Sequence, residues 1–80
     1  MAQYVEADIP LEIAHGEVLT LGDGTELRWE SNGEAKCVFV TGGFEPDKEI
    51  FPGNDWIFET GGSSYKLTAR FEDALLVEKQ

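Results

Sequence analysis

The 80-residue sequence has little of the side-chain chemistry on which catalytic and metal sites are commonly built. It contains one cysteine, Cys37, and one histidine, His15. A single cysteine excludes an intrachain disulfide and a Cys-rich zinc site. The histidine precedes Gly16, which is typical of a turn, and no nucleophile or orienting group accompanies it in a recognisable motif. We therefore predict that the protein is not an enzyme and has no catalytic residue, metal site or cofactor.

Basic residues are also scarce. Six Lys and Arg residues stand against 16 Asp and Glu residues, which gives a formal net charge of -10. This excess of negative charge repels phosphate backbones and anionic headgroups, so neither nucleic acid nor membrane is expected as a direct ligand. A basic protein surface is the partner that the charge favours. The same charge also serves to keep a small domain soluble and monomeric without any partner.

Long hydrophobic runs are missing as well. No stretch approaches transmembrane length, and residues 1–13 have neither the basic segment nor the apolar segment of a signal peptide. We expect a cytoplasmic or intracellular protein, and a virion component made in the cytosol would have the same features. The chain length and a hydrophobic content of 41% predict one domain, residues 1–80, with a thin core.

Alternation of apolar and polar residues dominates the first part of the chain. Residues 5–13 carry apolar side chains at the odd positions, which predicts an amphipathic strand with Pro10 at a sheet edge or a bulge. Residues 17–21 and 25–31 are predicted to form a hairpin. Their faces match only if the loop has three residues, with Gly24 in the left-handed region and Leu19 opposite Leu27.

The same alternation continues in the second part. After the Asn32-Gly33 turn, residues 35–41 are apolar on both faces, which predicts a central strand covered on both sides. Gly61-Gly62 is predicted to join residues 55–60 to 63–71 as a hairpin in which Phe58 faces Tyr65 and Trp56 faces Leu67. Residues 74–77 suit either a closing strand or one helical turn.

These elements predict an all-β fold. About six short antiparallel strands in meander order would close into a small barrel or a compact two-layer sandwich.

Residues 41–54 are predicted to form one long loop, because they contain two prolines and three glycines and have no sustained period. Long irregular loops are often functional, and this one combines aromatic residues with acids, as recognition of a basic protein surface requires. The alternative is that Phe44 and Phe51 fold back as a lid over the open end of the core.

The predicted binding residues follow from the distribution of charge. Most basic residues lie in later strands beside acids, whereas residues 5–13 and the loop have fewer cations nearby in sequence. If these two regions adjoin, they form one acidic patch. The predicted partner-binding residues are Glu6, Asp8, Glu12, Phe44, Glu45, Asp47, Glu49, Ile50 and Phe51.

The resulting functional hypothesis is a non-enzymatic, acidic protein-binding module that engages a basic or partly apolar protein surface. One alternative is an inhibitor that mimics nucleic-acid charge and occupies the cleft of a nucleic-acid-binding protein, as small phage or viral proteins can. Another is a small self-assembling structural subunit, in which an exposed edge near Pro10 and residues 74–77 pair between copies to form a homo-oligomer.

Overall fold

A computed structural model describes residues 3–32, 35–42 and 47–80 of the chain. The described residues form nine strands and one short 3₁₀ turn. In chain order these are β1 (Gln3–Val5), the 3₁₀ turn (Glu6–Asp8), β2 (Leu11–Ile13), β3 (Val18–Thr20), β4 (Glu26–Asn32), β5 (Ala35–Thr41), β6 (Lys48–Glu49), β7 (Asp55–Thr60), β8 (Ser63–Ala69) and β9 (Leu75–Lys79). The prediction of an all-β fold is confirmed.

The strands form two sheets over a common core. One sheet has the order β1-β3-β4-β5-β6 and the other the order β2-β9-β8-β7. The core contains Leu27 and Trp29 from the first sheet and Phe58, Tyr65 and Leu67 from the second, all nearly inaccessible to solvent. The predicted count of about six strands and the meander order were wrong, since β1 and β3 are parallel neighbours and β2 pairs with β9.

Residues 5–13 do not form the single strand that the alternation predicts. β1 ends at Val5, the 3₁₀ turn follows, and β2 begins after a cis Ile9-Pro10 peptide bond. The carboxylate of Asp8 accepts a hydrogen bond from the Val5 backbone N–H at 3.0 Å, which closes the turn, and Pro10 has no N–H to continue a ladder. The segment therefore passes from the edge of one sheet to the edge of the other.

Both predicted hairpins are present in the predicted register. Leu19 lies opposite Leu27, and Gly24 has φ of 93° in a three-residue loop. Phe58 lies opposite Tyr65 and Trp56 opposite Leu67. Both glycines of the Gly61-Gly62 loop have positive φ, 58° and 79°, as a type I′ turn requires.

Three other segments differ from or refine the prediction. β5 lies inside its sheet between β4 and β6. Of its apolar side chains with a described burial, Val38 is fully buried, while Cys37, Phe39 and Val40 are partly buried. The predicted cover on both faces was therefore wrong. β8 ends at Ala69 rather than at residue 71, and residues 75–79 form a strand between β2 and β8.

Residues 41–54 are not one continuous loop. β6 pairs with β5, and the Ile50 backbone N–H donates to the Lys36 carbonyl at 2.9 Å, which holds the segment against the sheet. Ile50 is 3% exposed and belongs to the core, so its side chain is not part of a surface that a partner could contact. Phe44 and Glu45 lie outside the described residues.

Candidate functional site

The N-terminal acids are compensated by cations from strands distant in sequence. Glu6 Oε2 accepts a hydrogen bond from Lys79 Nζ at 2.7 Å, and Glu6 Oε1 accepts from the Tyr65 hydroxyl at 2.6 Å and the Gly22 N–H at 2.7 Å. Glu12 pairs with Arg70 at 3.2 Å. The interpretation that Glu6 and Glu12 lack compensation was therefore wrong.

The three donors around Glu6 change the acidity of two groups. The hydrogen bond from Lys79, followed by those from Tyr65 and Gly22, lowers the pKa of Glu6 to about 2. Burial and the hydrogen bond to Glu6 raise the pKa of the Tyr65 hydroxyl to about 12. At neutral pH this cluster is consequently a fixed structural connection between the N-terminal turn and the second sheet.

The predicted acidic residues do not form one patch. β1 and β6 are opposite edges of the five-stranded sheet, and four interstrand spacings of about 4.8 Å separate them by roughly 19 Å. Asp8 follows β1, whereas Asp47 precedes β6 and accepts a hydrogen bond from the Val40 N–H at 2.8 Å. The acids of residues 6–8 and 47–49 therefore lie on different sides of the molecule.

The turn between β8 and β9 has an unusual backbone. Glu72 and Asp73 have φ of 68° and 63°. This left-handed backbone conformation has a steric cost for residues other than glycine. The Arg70 N–H donates to the Ala74 carbonyl at 2.8 Å across this turn. Two consecutive non-glycine residues in this region require contacts from elsewhere to hold them.

Those contacts come from the five-stranded sheet and converge on Asp73. Trp29 Nε1 donates to the Asp73 carbonyl at 3.0 Å, while Ser31 Oγ and Lys36 Nζ donate to the carboxylate at 2.6 and 2.8 Å. The Lys36 ammonium and the Ser31 hydroxyl lower the pKa of Asp73. His15 Nδ1 accepts a hydrogen bond from the Ser31 N–H at 2.9 Å, so the only histidine supports the same region.

The turn presents an aromatic side chain to solvent. Phe71 is 76% exposed and borders an open cleft of about 510 Å³. The cleft is lined by Glu12, Gly53, Thr68, Ala69, Arg70, Phe71, Glu72 and Ala74. Sequence reasoning missed Phe71 because it placed residue 71 inside a strand. The acidic residues directly after it, which interrupt the alternation, were the only local signal of a turn.

A second exposed aromatic residue lies at the same end of the sandwich. The Gly53 N–H donates to the Ala69 carbonyl at 3.0 Å, which places the turn that contains Phe51 beside the end of β8. Phe51 is 48% exposed. Of the predicted residues, Glu12 lines the cleft and Phe51 lies on the adjoining turn. We use the name aromatic end for the surface formed by Glu12, Phe51, Arg70, Phe71 and Glu72.

Potential metal-binding groups and a thiol are the other chemical features of the described residues. No group of three His, Cys, Asp or Glu residues in the ranges 3–32, 35–42 and 47–80 is arranged to hold a metal ion. Burial, with the nearby charges of Asp47 and Glu49, raises the pKa of the Cys37 thiol, which disfavours the reactive thiolate at neutral pH. Nor do the described residues include a helix with the length and apolar character needed to span a bilayer.

Comparison of the chain with protein-family models, curated proteins and solved structures found no match.

The backbone of the Phe71 turn gives a direct test of its strain. Glu72→Gly should raise the free energy of unfolding by about 0.5–1 kcal/mol, because glycine adopts positive φ without steric cost. Urea denaturation measures the change. Glu59→Gly in β7 is the matched control and should lower stability, since glycine weakens a strand; a loss of stability for both variants would contradict the account of the turn.

Proposed function

We propose that the protein is a non-enzymatic protein-binding module that uses the aromatic end to engage a basic, partly apolar protein surface. The observation that carries this proposal is the exposure of Phe71, 76%, on a turn with two left-handed residues. Backbone strain that the surrounding structure maintains is a feature of functional sites. In this protein the strained turn holds the apolar side chain of Phe71 in solvent, where that side chain contributes little to the stability of the free protein.

Phe51 and Phe71 supply the apolar part of the interaction. Burying a phenylalanine side chain contributes roughly 1.5–3 kcal/mol, and aromatic anchors that fill pockets of a partner dominate many interfaces. The Trp29 and Ser31 contacts to Asp73 hold the Phe71 turn in advance. Little ordering entropy is then lost when the partner binds.

Acids around the two rings select the sign of the partner charge. Glu72 is exposed, and Glu12 forms an ion pair with Arg70. The aromatic end therefore carries a net negative charge, within a chain of formal charge -10. Lysine or arginine side chains that surround an apolar pocket would complement it, and long-range attraction would raise the association rate.

The other predicted residues have supporting roles in this proposal. Ile50 packs in the core and anchors the segment that carries Phe51. Glu6, Asp8 and Asp47 are engaged in hydrogen bonds within the protein. They contribute to the negative field that attracts a basic partner rather than to direct contact.

Affinity capture with matched variants tests the proposal. We expect immobilised wild-type protein to retain a basic protein from native lysate at low salt. The double variant Phe51→Ala, Phe71→Ala should retain at least about tenfold less of that protein, as the loss of two aromatic anchors implies. The control is Val5→Ala, which truncates another exposed apolar side chain, 55% exposed, at β1.

Equal retention by the wild type and the double variant, with cooperative thermal unfolding of both, would overturn the assignment of the aromatic end. If duplex DNA displaced the captured protein, the inhibitor that mimics nucleic-acid charge would be the better assignment, because phosphate and the acidic surface would then compete for one basic cleft.

A further inference from the structure

β7 is the outer strand of the four-stranded sheet and pairs only with β8 among the described strands. The type I′ turn at Gly61-Gly62 makes Thr60 and Ser63 a hydrogen-bonded pair. Because hydrogen-bonded pairs alternate along an antiparallel ladder, the backbone groups of residues 60, 58 and 56 bond to β8. The backbone N–H and C=O groups of Asp55, Ile57 and Glu59 consequently point away from β8. No hydrogen bond from another described residue reaches these groups.

The side chains along this open edge form a simple pattern. Asp55, Ile57 and Glu59 all face solvent, and Ile57 is 46% exposed. Asp55 lies 3.6 Å from Lys66 of β8, while Glu59 has no ion pair among the described residues. On the inner face, Trp56 is only partly buried and packs at the margin of the core.

We propose that the β7 edge binds an extended, basic segment of a protein partner by strand addition. Lysine or arginine would lie opposite Asp55 and Glu59, a short β-branched residue opposite Ile57, and apolar side chains on the inner face against Trp56. The backbone bonds supply affinity, and the alternating side chains supply specificity. The inference rests on the proposed function for the class of partner, and it adds a second surface and a binding mode.

Charge disfavours a second copy of this chain as the occupant. In an antiparallel pair of two copies centred on Ile57, Asp55 of each copy lies opposite Glu59 of the other. Like charges directly opposite each other on neighbouring strands are destabilising. Natural sheet proteins use such charged edges to prevent self-pairing. A partner strand with cations opposite Asp55 and Glu59 would instead be attracted at both positions.

A peptide titration tests the edge directly. The probe is a blocked peptide that contains Lys-Val-Thr-Val-Lys, and the readout is the fluorescence of Trp56, with Trp29 as a fully buried, constant background. We expect saturable binding that is at least about tenfold weaker for the Glu-Val-Thr-Val-Glu peptide and for Ile57→Pro, which removes an outward donor but no ladder bond. Equal binding by wild type and Ile57→Pro, or no binding at all, would overturn the proposal.

A second experiment tests the edge without any partner. Glu59→Lys places a new lysine opposite Asp55 in the two-copy arrangement, so this variant should form a dimer in sedimentation experiments while the wild type remains monomeric. Adding Asp55→Lys should restore the monomer, because both positions are then basic, and Ile57→Pro should also abolish the dimer.

The outcomes separate this inference from the proposed function. If Glu59→Lys stays monomeric at high concentration, the edge is not available and the inference fails, even where Phe51 and Phe71 prove essential for capture. If the edge variants behave as expected but capture does not depend on the two phenylalanines, the aromatic end fails and the edge proposal stands.

Discussion

Tyr65→Phe should lower the free energy of unfolding at neutral pH by about 2 kcal/mol, which is typical of losing a hydrogen bond between a buried residue and a charged acceptor. Tyr65 is 2% exposed, and its hydroxyl donates to Glu6 Oε1 at 2.6 Å. The substitution removes only that hydroxyl, so the ring packing on Phe58 is retained. For a domain of this size such a loss is a large share of the total stability. Urea denaturation measures it.

The penalty of Tyr65→Phe should depend on pH at both extremes. The pKa of Glu6 falls from 4.5 to about 2 on folding, so its stabilising contribution is complete above the unfolded value and is lost as the pH falls toward 2. The pKa of Tyr65 rises from 10.0 to about 12, so its contribution is complete below the unfolded value and is lost as the pH rises toward 12.

A double-mutant cycle with Glu6→Gln isolates the pair. The coupling free energy between Tyr65 and Glu6 should be measurable at pH values between the Glu6 and Tyr65 titrations. It should be small in acid, where Glu6 is protonated. Tyr4→Phe is the matched control, since the Tyr4 hydroxyl lies 3.4 Å from Glu17, a longer contact at a less buried site. A Tyr65→Phe penalty that is the same at neutral pH and in strong acid would contradict the role assigned to Glu6.

The second large effect is expected from Trp29→Phe. Trp29 is fully buried, and its Nε1 donates to the Asp73 carbonyl. Phenylalanine leaves unfilled volume and removes this donor, so we expect a loss of about 2–3 kcal/mol in the free energy of unfolding. Because the bond also fixes the strained turn, amide exchange at Arg70, whose N–H bonds across that turn, should become faster than the global loss of stability explains.

The control for this prediction is Trp56→Phe. Trp56 is only partly buried, so the same substitution there should cost less than Trp29→Phe and leave exchange at Arg70 unchanged. If both variants changed amide exchange at Arg70 equally, general packing rather than the hydrogen bond to Asp73 would connect Trp29 with the Phe71 turn.

The fold shows which parts of a small β protein can be predicted from one sequence. Both hairpin registers were predicted correctly because turn glycines and cross-strand faces are close together in the chain. The segment 5–13 has an equally clear alternation, yet it divides between two sheets. The Asp8 carboxylate closes the turn after β1, Pro10 directly precedes β2, and the parallel pairing of β1 with β3 has no local signal.

The candidate site was harder to predict for the same physical reason. Glu6 and Glu12 seemed uncompensated because Lys79 and Arg70 approach them only after the second sheet forms. The turn that exposes Phe71 is held by contacts of Asp73 with Trp29 and Ser31 of the other sheet, which the local sequence does not indicate. Phe51 and Glu49 were predicted from composition alone, since aromatic and acidic residues of an irregular segment are a local feature, and their role in binding stays a prediction.

The proposed contact between the aromatic end and a basic protein partner can be located residue by residue. Titrating isotopically labelled protein with the captured partner, and following backbone amide shifts at physiological salt, tests it most directly. We predict that the largest shifts fall at residues 49–54 and 70–74 and that these are absent in the Phe51→Ala, Phe71→Ala variant, whereas shifts at residues 55–59 report the added strand. Shifts spread evenly over the acidic residues and abolished by moderate salt would contradict the claim, because they would indicate a diffuse electrostatic encounter without a defined site.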